Sequence, residues 1–287
     1  MAIIKVTGAT GYLGNLISTD LEKNGHQVLA VKRELLYGNV NVLKNEIKGC
    51  DVIINLAGSP ILQRWTKKNK KTIYDSRVET TKNLVKAINL QNSNEQPKKF
   101  ISASAIGIYQ PGILHDESST RYENKFVGKV VQDWEDCLNG LPDSIQLNIF
   151  RIGLVLGKKA KTVTNLLTPF KLGLGGKIGS GKQAFPFIHE KDLVQAFISA
   201  VEDYEENGTF NLVAPEKISN SQFTKVFAQK LKRPALIPVP SFVLKLIFGE
   251  AASLLLNSPI VEAKALLKAG FSYEYPTIDS ALEEILT

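Results

Sequence analysis

The chain has 287 residues, of which 44% are hydrophobic and 22% charged, the values of a globular protein with a sizeable core. That length fits one large domain, or one domain with a smaller lobe. The net charge of +7 favours anionic ligands. However, the lysines are scattered and no basic stripe with interleaved aromatic residues is seen, so we expect no nucleic-acid partner.

The cysteines and the apolar segments bear on whether the protein is metal-binding, secreted or membrane-bound. Cys50 and Cys137 have no metal-binding or redox spacing, so neither a metal site nor a disulfide framework is expected. The apolar start is a short strand followed by glycines, which is not a signal peptide. Charges interrupt the apolar stretch from Phe242 to Leu256, which is also too short to span a bilayer. We therefore predict a cytoplasmic monomer or homodimer with no membrane partner.

The first half of the chain alternates short apolar strands with helical patterns. The predicted strands are Ala2 to Val6, Val28 to Val31, Asp51 to Leu56 and Phe100 to Ser104. A helix after the first strand ends at Gly25, and one long helix is expected from about Thr66 to Gln91. Residues 34–48 are poorly patterned, so a third strand and its helix look abbreviated. This alternation predicts a parallel sheet covered by helices.

The second half continues the alternation less regularly. A helix is expected near Phe126, a strand from Ile145 to Ile149, and another helix after His189. Ser219 and Gln222 have the spacing of a capping box. We predict two regions: residues 1–157, which form the sheet domain, and residues 158–287, which form a smaller lobe with some elements returning to the sheet.

A glycine-rich turn joins the first strand to the first helix. It comprises Thr7-Gly8-Ala9-Thr10-Gly11-Tyr12-Leu13-Gly14. In such turns glycines permit a tight bend, a close approach to a pyrophosphate and close packing of helix on strand. The helix start adds free N–H groups and a positive dipole end. The motif predicts an α/β fold with a Rossmann-type doubly wound parallel sheet, a smaller C-terminal α/β substrate lobe, and a dinucleotide held by Gly8, Thr10, Gly11, Tyr12, Leu13 and Gly14.

The end of the second strand indicates which dinucleotide binds. An acid about 20 residues after the turn bonds the ribose hydroxyls of NAD. Here the strand ends in Val31-Lys32-Arg33, and no acid precedes Glu34. A cationic pair suits a 2′-phosphate, so Lys32 and Arg33 predict NADP, with NAD as the alternative. They could also be two surface cations without a role.

Taken in order, the motifs resemble those of the short-chain dehydrogenase/reductase superfamily, in its extended epimerase/dehydratase-like branch. More narrowly, the chain is similar to the atypical epimerase-like family that ends in a small C-terminal domain of unknown function. The motifs are the glycine turn, Asn55-Leu56-Ala57-Gly58, Arg64-Trp65-Thr66, Ser76-Arg77, Ser102 to Gly107, Asp133-Trp134-Glu135, Arg151-Ile152-Gly153, Val155-Leu156-Gly157, Leu172 to Gly176, Phe187-Ile188-His189, Asp192-Leu193, Arg233-Pro234-Ala235, Gly249-Glu250, Ala269-Gly270-Phe271 and Tyr275-Pro276.

The resemblance implies roles for two further segments. Leu56, Ala57 and Gly58 should line the cofactor cleft. Ser104 falls where the extended enzymes keep a catalytic serine, whose task is to hydrogen-bond charge that develops on the substrate carbonyl oxygen. Ser104 could also be only a small residue at a crowded strand end.

One departure from the superfamily affects the expected chemistry. Active members use a Tyr followed four residues later by a Lys, which together transfer a proton. Tyr122 is followed at that spacing by Phe126, and counting back from Glu135 places the pair at Val127 and Val131. The narrower family lacks the pair as well.

Few residues could replace that pair. Tyr109 is expected in a loop near the mouth of the cleft, as an acid or as a lid aromatic. Lys129 follows Phe126 by about one helical turn. His189 precedes a helix, where a capping or packing role is the commoner one. Ser76 and Arg77 could bind an anionic substrate, or could only tie their helix to the sheet.

The substrate side favours a small carbonyl or alcohol. Phe185 stands where sugar-nucleotide enzymes often place an Arg, and a hydrophobic side chain cannot pair with a diphosphate. An apolar or aromatic substrate is compatible with Trp65, Phe185 and Phe187. Two functions follow from the sequence: an NADP-dependent oxidoreductase or epimerase-like enzyme, or a binding module that senses the cofactor without turnover.

Overall fold

In the computed structural model, which describes residues 1–203 and 207–287, a parallel sheet lies between layers of helices. The strands are β1 (Ile3–Thr7), β2 (Gln27–Val31), β3 (Val52–Asn55), β4 (Lys99–Ala105), β5 (Leu114–His115), β6 (Gln146–Ile152), β7 (Leu154–Leu156), β8 (Phe187–His189), β9 (Gly208–Leu212) and β10 (Ile260–Val261). The helices are α1 (Tyr12–Lys23), α2 (Arg33–Tyr37), α3 (Val40–Ile47), α4 (Lys67–Asp75), α5 (Val78–Asn89), α6 (Phe126–Asp136), α7 (Lys161–Lys171), α8 (Glu190–Glu202), α9 (Asn220–Lys230), α10 (Ser241–Phe248), α11 (Ser253–Leu256), α12 (Lys264–Lys268) and α13 (Ile278–Leu286).

The central sheet has six parallel strands in the order β2-β1-β3-β4-β6-β9. Ile4 of β1 pairs with Val28 on one side and with Val52 on the other. The chain therefore leaves β1 in one direction, returns, and continues in the other. In such sheets ligands bind at this reversal, beyond the carboxyl ends of the strands. The predicted Rossmann-type α/β fold is confirmed.

The segment between β2 and β3 is as short as its pattern suggested. It forms the two short helices α2 and α3, with no strand in the described residues 33–47. Asn39 caps α3 by accepting a hydrogen bond from the Asn41 N–H at 2.8 Å.

Alternation along the strands separates two apolar layers. Ile54 packs in a cluster with Ile17 of α1 and Phe197 of α8, whereas its neighbour Ile53 packs in a different cluster with Leu84 of α5. Successive side chains of a strand point to opposite faces of the sheet. Both faces of the sheet are therefore covered, as parallel sheets require.

The long helix predicted from Thr66 to Gln91 is wrong in one respect, because it is two helices. The first, α4, ends at Asp75 and the second, α5, begins at Val78. At the break, the Ser76 hydroxyl accepts a hydrogen bond from the Ser59 N–H at 2.9 Å. The Arg77 guanidinium donates to the Ser59 carbonyl at 3.1 Å. Both contacts fix the loop after β3 to the break.

The C-terminal part of the chain has its own apolar cluster and also returns to the sheet. Phe187, Phe223, Phe227 and Leu282 belong to that cluster. In contrast, β9 pairs with β6 through Ile152 and Leu212 at the edge of the central sheet. The predicted division at residue 157 stays a prediction. Among the described residues, no helix is long and apolar enough to cross a membrane.

Candidate cofactor site

The glycine turn brings the end of β1 against the start of α1 with no side chain between them. Gly8 has φ of +71°, and a Cβ there would lie 2.8 Å from the Leu56 carbonyl oxygen. A Cβ on Gly14 would overlap the carbonyl oxygen of Gly8. Both positions therefore require glycine, for the reasons that the motif predicted.

The start of α1 is open to a ligand. Gly11 is its N-cap residue in extended conformation, and no side chain caps the helix. Thr10 and Gly11 are exposed, and Tyr12 and Leu13 are half-buried. The first N–H groups of a helix have no partner within it, so this end of α1 presents hydrogen-bond donors and a positive dipole to an anion.

The loop after β3 is pinned beside this turn by a buried polar network. The Thr7 hydroxyl donates to Asn55 Oδ1 at 2.8 Å and accepts the N–H groups of Leu56 and Ala57 at 3.1 and 3.2 Å. Asn55 Nδ2 donates in turn to the Thr81 hydroxyl at 2.9 Å. These contacts bring Leu56, Ala57 and therefore Gly58 to the same edge of the sheet as the glycine turn.

The cations at the end of β2 lie at this edge as well. Lys32 and Arg33 are exposed, and within the described ranges neither forms a salt bridge. The Arg33 guanidinium carbon is 5.9 Å from the centre of the Tyr37 ring. Lys32 and Arg33 are thus available to a phosphate that binds beyond the end of the neighbouring strand, β1.

Arg77 is a third cation at this edge, which the sequence left without a definite role. Its guanidinium is half-buried, donates only to the carbonyls of Ser59 and Ile73, and lies 5.6 Å from the centre of the Trp134 ring. Burial lowers the pKa of Arg77 to about 10. In the part of the chain that the structure describes, no carboxylate pairs with it, and the absence of a Cβ on Gly58 leaves room for it.

Ser104 lies at the carboxyl end of β4, but its hydroxyl is used inside the protein. The residue is 4% exposed, and Oγ donates to Glu135 Oε1. Arg151 holds the same carboxylate through Nε at 2.9 Å and Nη2 at 2.7 Å. A serine has one proton to donate, and Ser104 donates it to Glu135. Toward any other partner Ser104 can therefore only accept a hydrogen bond.

Tyr109 does not lie at the mouth of the cleft, where we expected it. It is 1% exposed, and its hydroxyl donates to Asn211 Oδ1 at 2.9 Å while accepting from Arg151 Nη1 at 2.8 Å. Its ring stacks on His115 with 4.7 Å between the centroids. Burial raises the pKa of Tyr109. These contacts are those of a core residue, because both hydrogen-bond partners of the Tyr109 hydroxyl lie inside the protein.

His189 caps a helix. It is fully buried, its Nδ1 accepts the Lys191 N–H at 3.2 Å at the start of α8, and its Nε2 lies 3.2 Å from Glu284 Oε2. Its ring lies against Tyr275 at 3.9 Å between centroids. Burial lowers the pKa of His189. Nδ1 thus caps α8, and Nε2 also has an internal partner.

The positions of the absent Tyr and Lys are filled by packing. Val131 is 3% exposed and belongs to the main apolar cluster, against which Val127 packs. A Cβ on Gly107 would lie 2.8 Å from a Val127 methyl group. Lys129 is exposed on the same helix. Neither position of the absent pair therefore carries a side chain that can transfer a proton.

The aromatic residues proposed for the substrate side divide into two groups. Phe185 is 7% exposed and stacks on Phe223, and Phe187 is fully buried. Because both lie inside the C-terminal cluster, neither supports an aromatic substrate. Trp65 is half-buried and contacts Phe126 edge to face, with 5.2 Å between centroids.

The parallel sheet, the strand reversal and the open glycine turn together define a dinucleotide-binding protein of the Rossmann class. Comparison with known families narrows this class. Residues 4–213 match the model of the NAD dependent epimerase/dehydratase family, and residues 239–285 match a domain of unknown function. The chain belongs to the NAD dependent epimerase/dehydratase family.

Individual relatives extend over the whole chain. The mouse epimerase family protein SDR39U1 is 35% identical over 292 residues, which cover 99% of each chain. The crystal structure of human SDR39U1 (isoform2) with NADPH superposes with a TM-score of 0.92 at 35% identity, and it covers 99% of each chain. A relative from Arabidopsis thaliana, 29% identical and covering 99% of this chain and 86% of its own, is named chloroplastic. The cytoplasmic location stays a prediction.

Proposed function

We propose that the protein binds NADP(H) at the carboxyl edge of the sheet and acts as an oxidoreductase on a small carbonyl or alcohol. The observation that carries the proposal is the open start of α1 beside two exposed cations, Lys32 and Arg33, that have no carboxylate partner in the described residues. The helix start suits a diphosphate and the cations suit a 2′-phosphate. The NADPH in the human SDR39U1 structure supports the same cofactor here.

Arg77 would join this site. A charge that is partly removed from water without a counter-charge is unfavourable, and among the described residues Arg77 has only carbonyls and an aromatic face as partners. With its pKa lowered to about 10, the guanidinium stays charged at neutral pH. A phosphate of the cofactor would supply the negative charge that the described residues lack.

The chemistry at the other end of the cofactor is less complete. A bound nicotinamide supplies hydride chemistry, and the protein must supply orientation and proton transfer. Ser104 stands at the end of β4 with its proton donated to Glu135. It would therefore accept a hydrogen bond from a substrate alcohol, and a carbonyl substrate would require the Ser104 hydroxyl to turn away from Glu135.

Isothermal titration calorimetry tests the cofactor assignment. We expect NADPH to bind more tightly than NADH, and we expect the variant Lys32→Glu with Arg33→Glu to lose about tenfold or more of its NADPH affinity. NADH affinity should change much less, because NADH has no 2′-phosphate. Lys86→Glu, an exposed change in the last turn of α5, serves as the control. Equal affinity for NADPH and NADH in the unchanged protein would contradict the proposal.

A second candidate is a module that binds the cofactor without turning it over. Its support is that the hydroxyl groups of Ser104 and Tyr109 donate their protons to internal partners, and that His189 Nε2 lies beside Glu284 inside the protein. Spectrophotometric assays of NADPH oxidation over a panel of small carbonyls separate the two candidates. Turnover that is lost in Ser104→Ala supports the enzyme. Tight NADPH binding without turnover on any member of the panel supports the module.

A further inference from the structure

The side chain of Tyr12 links the glycine turn to a carboxylate from a distant part of the chain. The Tyr12 hydroxyl donates to Glu190 Oε2, and Glu190 is the first residue of α8. Gly157 lies against both groups, and a Cβ at that position would overlap the Tyr12 hydroxyl and the Glu190 carboxylate. Glycine at position 157 thus makes room for a tyrosine–glutamate pair at the cofactor turn.

The two helices that carry this pair begin beside each other, because Tyr12 and Glu190 are their first residues. Ile17 of α1 and Leu193 of α8 belong to the same buried cluster on one face of the sheet. The carboxylate of Glu190 therefore lies one tyrosine side chain away from the N–H groups that would bind the diphosphate. Two anions at such a separation are within about one Debye length at physiological salt and repel each other.

The surroundings of Glu190 do not neutralise it. The carboxylate is half-buried, and no described Lys or Arg forms a salt bridge with it. Its other neighbours are the Lys158 N–H, which favours the ionised form, and the charges of Lys191 and Glu284, which oppose each other. Lys191 is already paired with Glu284 at 3.1 Å, and His189 also faces Glu284. Burial, the largest influence, raises the pKa of Glu190.

We propose that Glu190, which contacts Tyr12 of the glycine turn, is a proton-linked part of the dinucleotide site and takes up a proton from solvent when the diphosphate binds at that turn. This inference rests on the proposed cofactor function. The neutral carboxyl group keeps a hydrogen bond to Tyr12 without repelling the phosphates. Binding and protonation then favour each other, so affinity rises as the pH falls through the titration of Glu190.

Calorimetric titration with NADP⁺ between pH 5 and 8, in buffers of different ionisation enthalpy, measures the protons taken up on binding. We expect the unchanged protein to take up a fraction of a proton and to gain about three- to tenfold in affinity toward the acid end, relative to Glu190→Gln. The ratio between the two proteins cancels the titration of the 2′-phosphate itself. Glu22→Gln, an exposed change at the far end of α1, should behave like the unchanged protein.

Tyr12→Phe separates a proton link from a merely structural contact. Without the hydroxyl, the ionised carboxylate loses a hydrogen-bond donor, which raises its pKa. The midpoint of the affinity change should therefore move to higher pH in this variant. Equal proton uptake by the unchanged protein and Glu190→Gln would overturn the inference while leaving the cofactor assignment intact. Failure of NADP⁺ to bind at any pH would instead overturn the cofactor assignment.

Discussion

At the scale of single residues, the ion pair between Arg151 and Glu135 organises the region beneath the end of β4. Its side chains are 5% and 12% exposed, and two hydrogen bonds join them. Breaking a buried pair by removing one charge leaves the other uncompensated, which costs about 3–5 kcal/mol. We therefore expect Glu135→Gln to lower the free energy of unfolding by about that amount, as measured by urea denaturation.

A surface pair provides the control for this prediction. Lys71 and Asp75 lie one helical turn apart on α4, with the lysine side chain 76% exposed. Exposed pairs contribute about 0–1 kcal/mol, so Lys71→Ala should change stability little. A similar loss in both variants would show that the burial of the Arg151 pair has no special weight.

Residue identities were easier to predict than residue environments. Ser104 and Tyr109 have the chemistry that a proton-transfer site needs, and the sequence places each near a strand end. What it cannot show is that their hydroxyls donate to Glu135 and Asn211, residues 31 and 102 positions away. Gly14 was predictable because its constraint is local: a Cβ there would overlap the Gly8 carbonyl oxygen of the same turn.

At the scale of elements, the start of α8 depends on a histidine that must remain neutral. His189 Nδ1 accepts the N–H of Lys191, and burial lowers the pKa of the ring below its ordinary 6.5. The unfolded chain therefore binds a proton more readily than the folded one. The contribution of the neutral His189 ring to the free energy of unfolding is fully present above pH 6.5. It is lost as the pH falls toward the pKa of the folded state, with a slope of at most about 1.4 kcal/mol per pH unit for one proton.

His189→Asn tests this linkage, because an asparagine also accepts hydrogen bonds at a helix start. The variant should be less stable at every pH, since it leaves a gap beside Tyr275. Its stability should nevertheless fall less steeply than that of the unchanged protein between pH 7.5 and 5.5 in urea titrations. Parallel curves for the two proteins would show that His189 does not titrate with unfolding in this range.

Part of the secondary structure followed closely from periodicity. Alternation predicted β1 to β4 within one residue at each end and missed the last three residues of β6, and helical spacing predicted the starts of α6, α8 and α9. The break between α4 and α5 was missed, because no local signal of Pro or Gly marks Ser76 and Arg77. The break depends on a contact that is distant in sequence, because the N–H of Ser59 bonds to Ser76 and the carbonyl of Ser59 bonds to Arg77.

At the scale of the whole molecule, elements from both sides of position 157 are interleaved in one sheet and one apolar cluster. The last strand of the central sheet, β9, comes from residues 208–212 and covers the edge of β6. Helix α8 packs in the same apolar cluster as Ile17 and Leu21 of α1 and Phe150 of β6, each of which is fully buried. The glycine turn thus contacts a residue beyond position 157, because the Tyr12 hydroxyl donates to Glu190.

This interleaving predicts that residues 1–157 do not form a stable domain alone. Without residues 158–287, the edge of β6 loses its ladder partner and the apolar face beneath α8 is exposed to water, which favours association and weakens the core. We expect the 1–157 fragment to unfold in urea without a sharp transition and to bind a hydrophobic dye. Adding the 158–287 fragment should restore a cooperative transition. A 1–157 fragment that unfolds sharply and binds NADPH would instead establish residue 157 as a true domain boundary, because the cofactor turn would then need nothing from the second region.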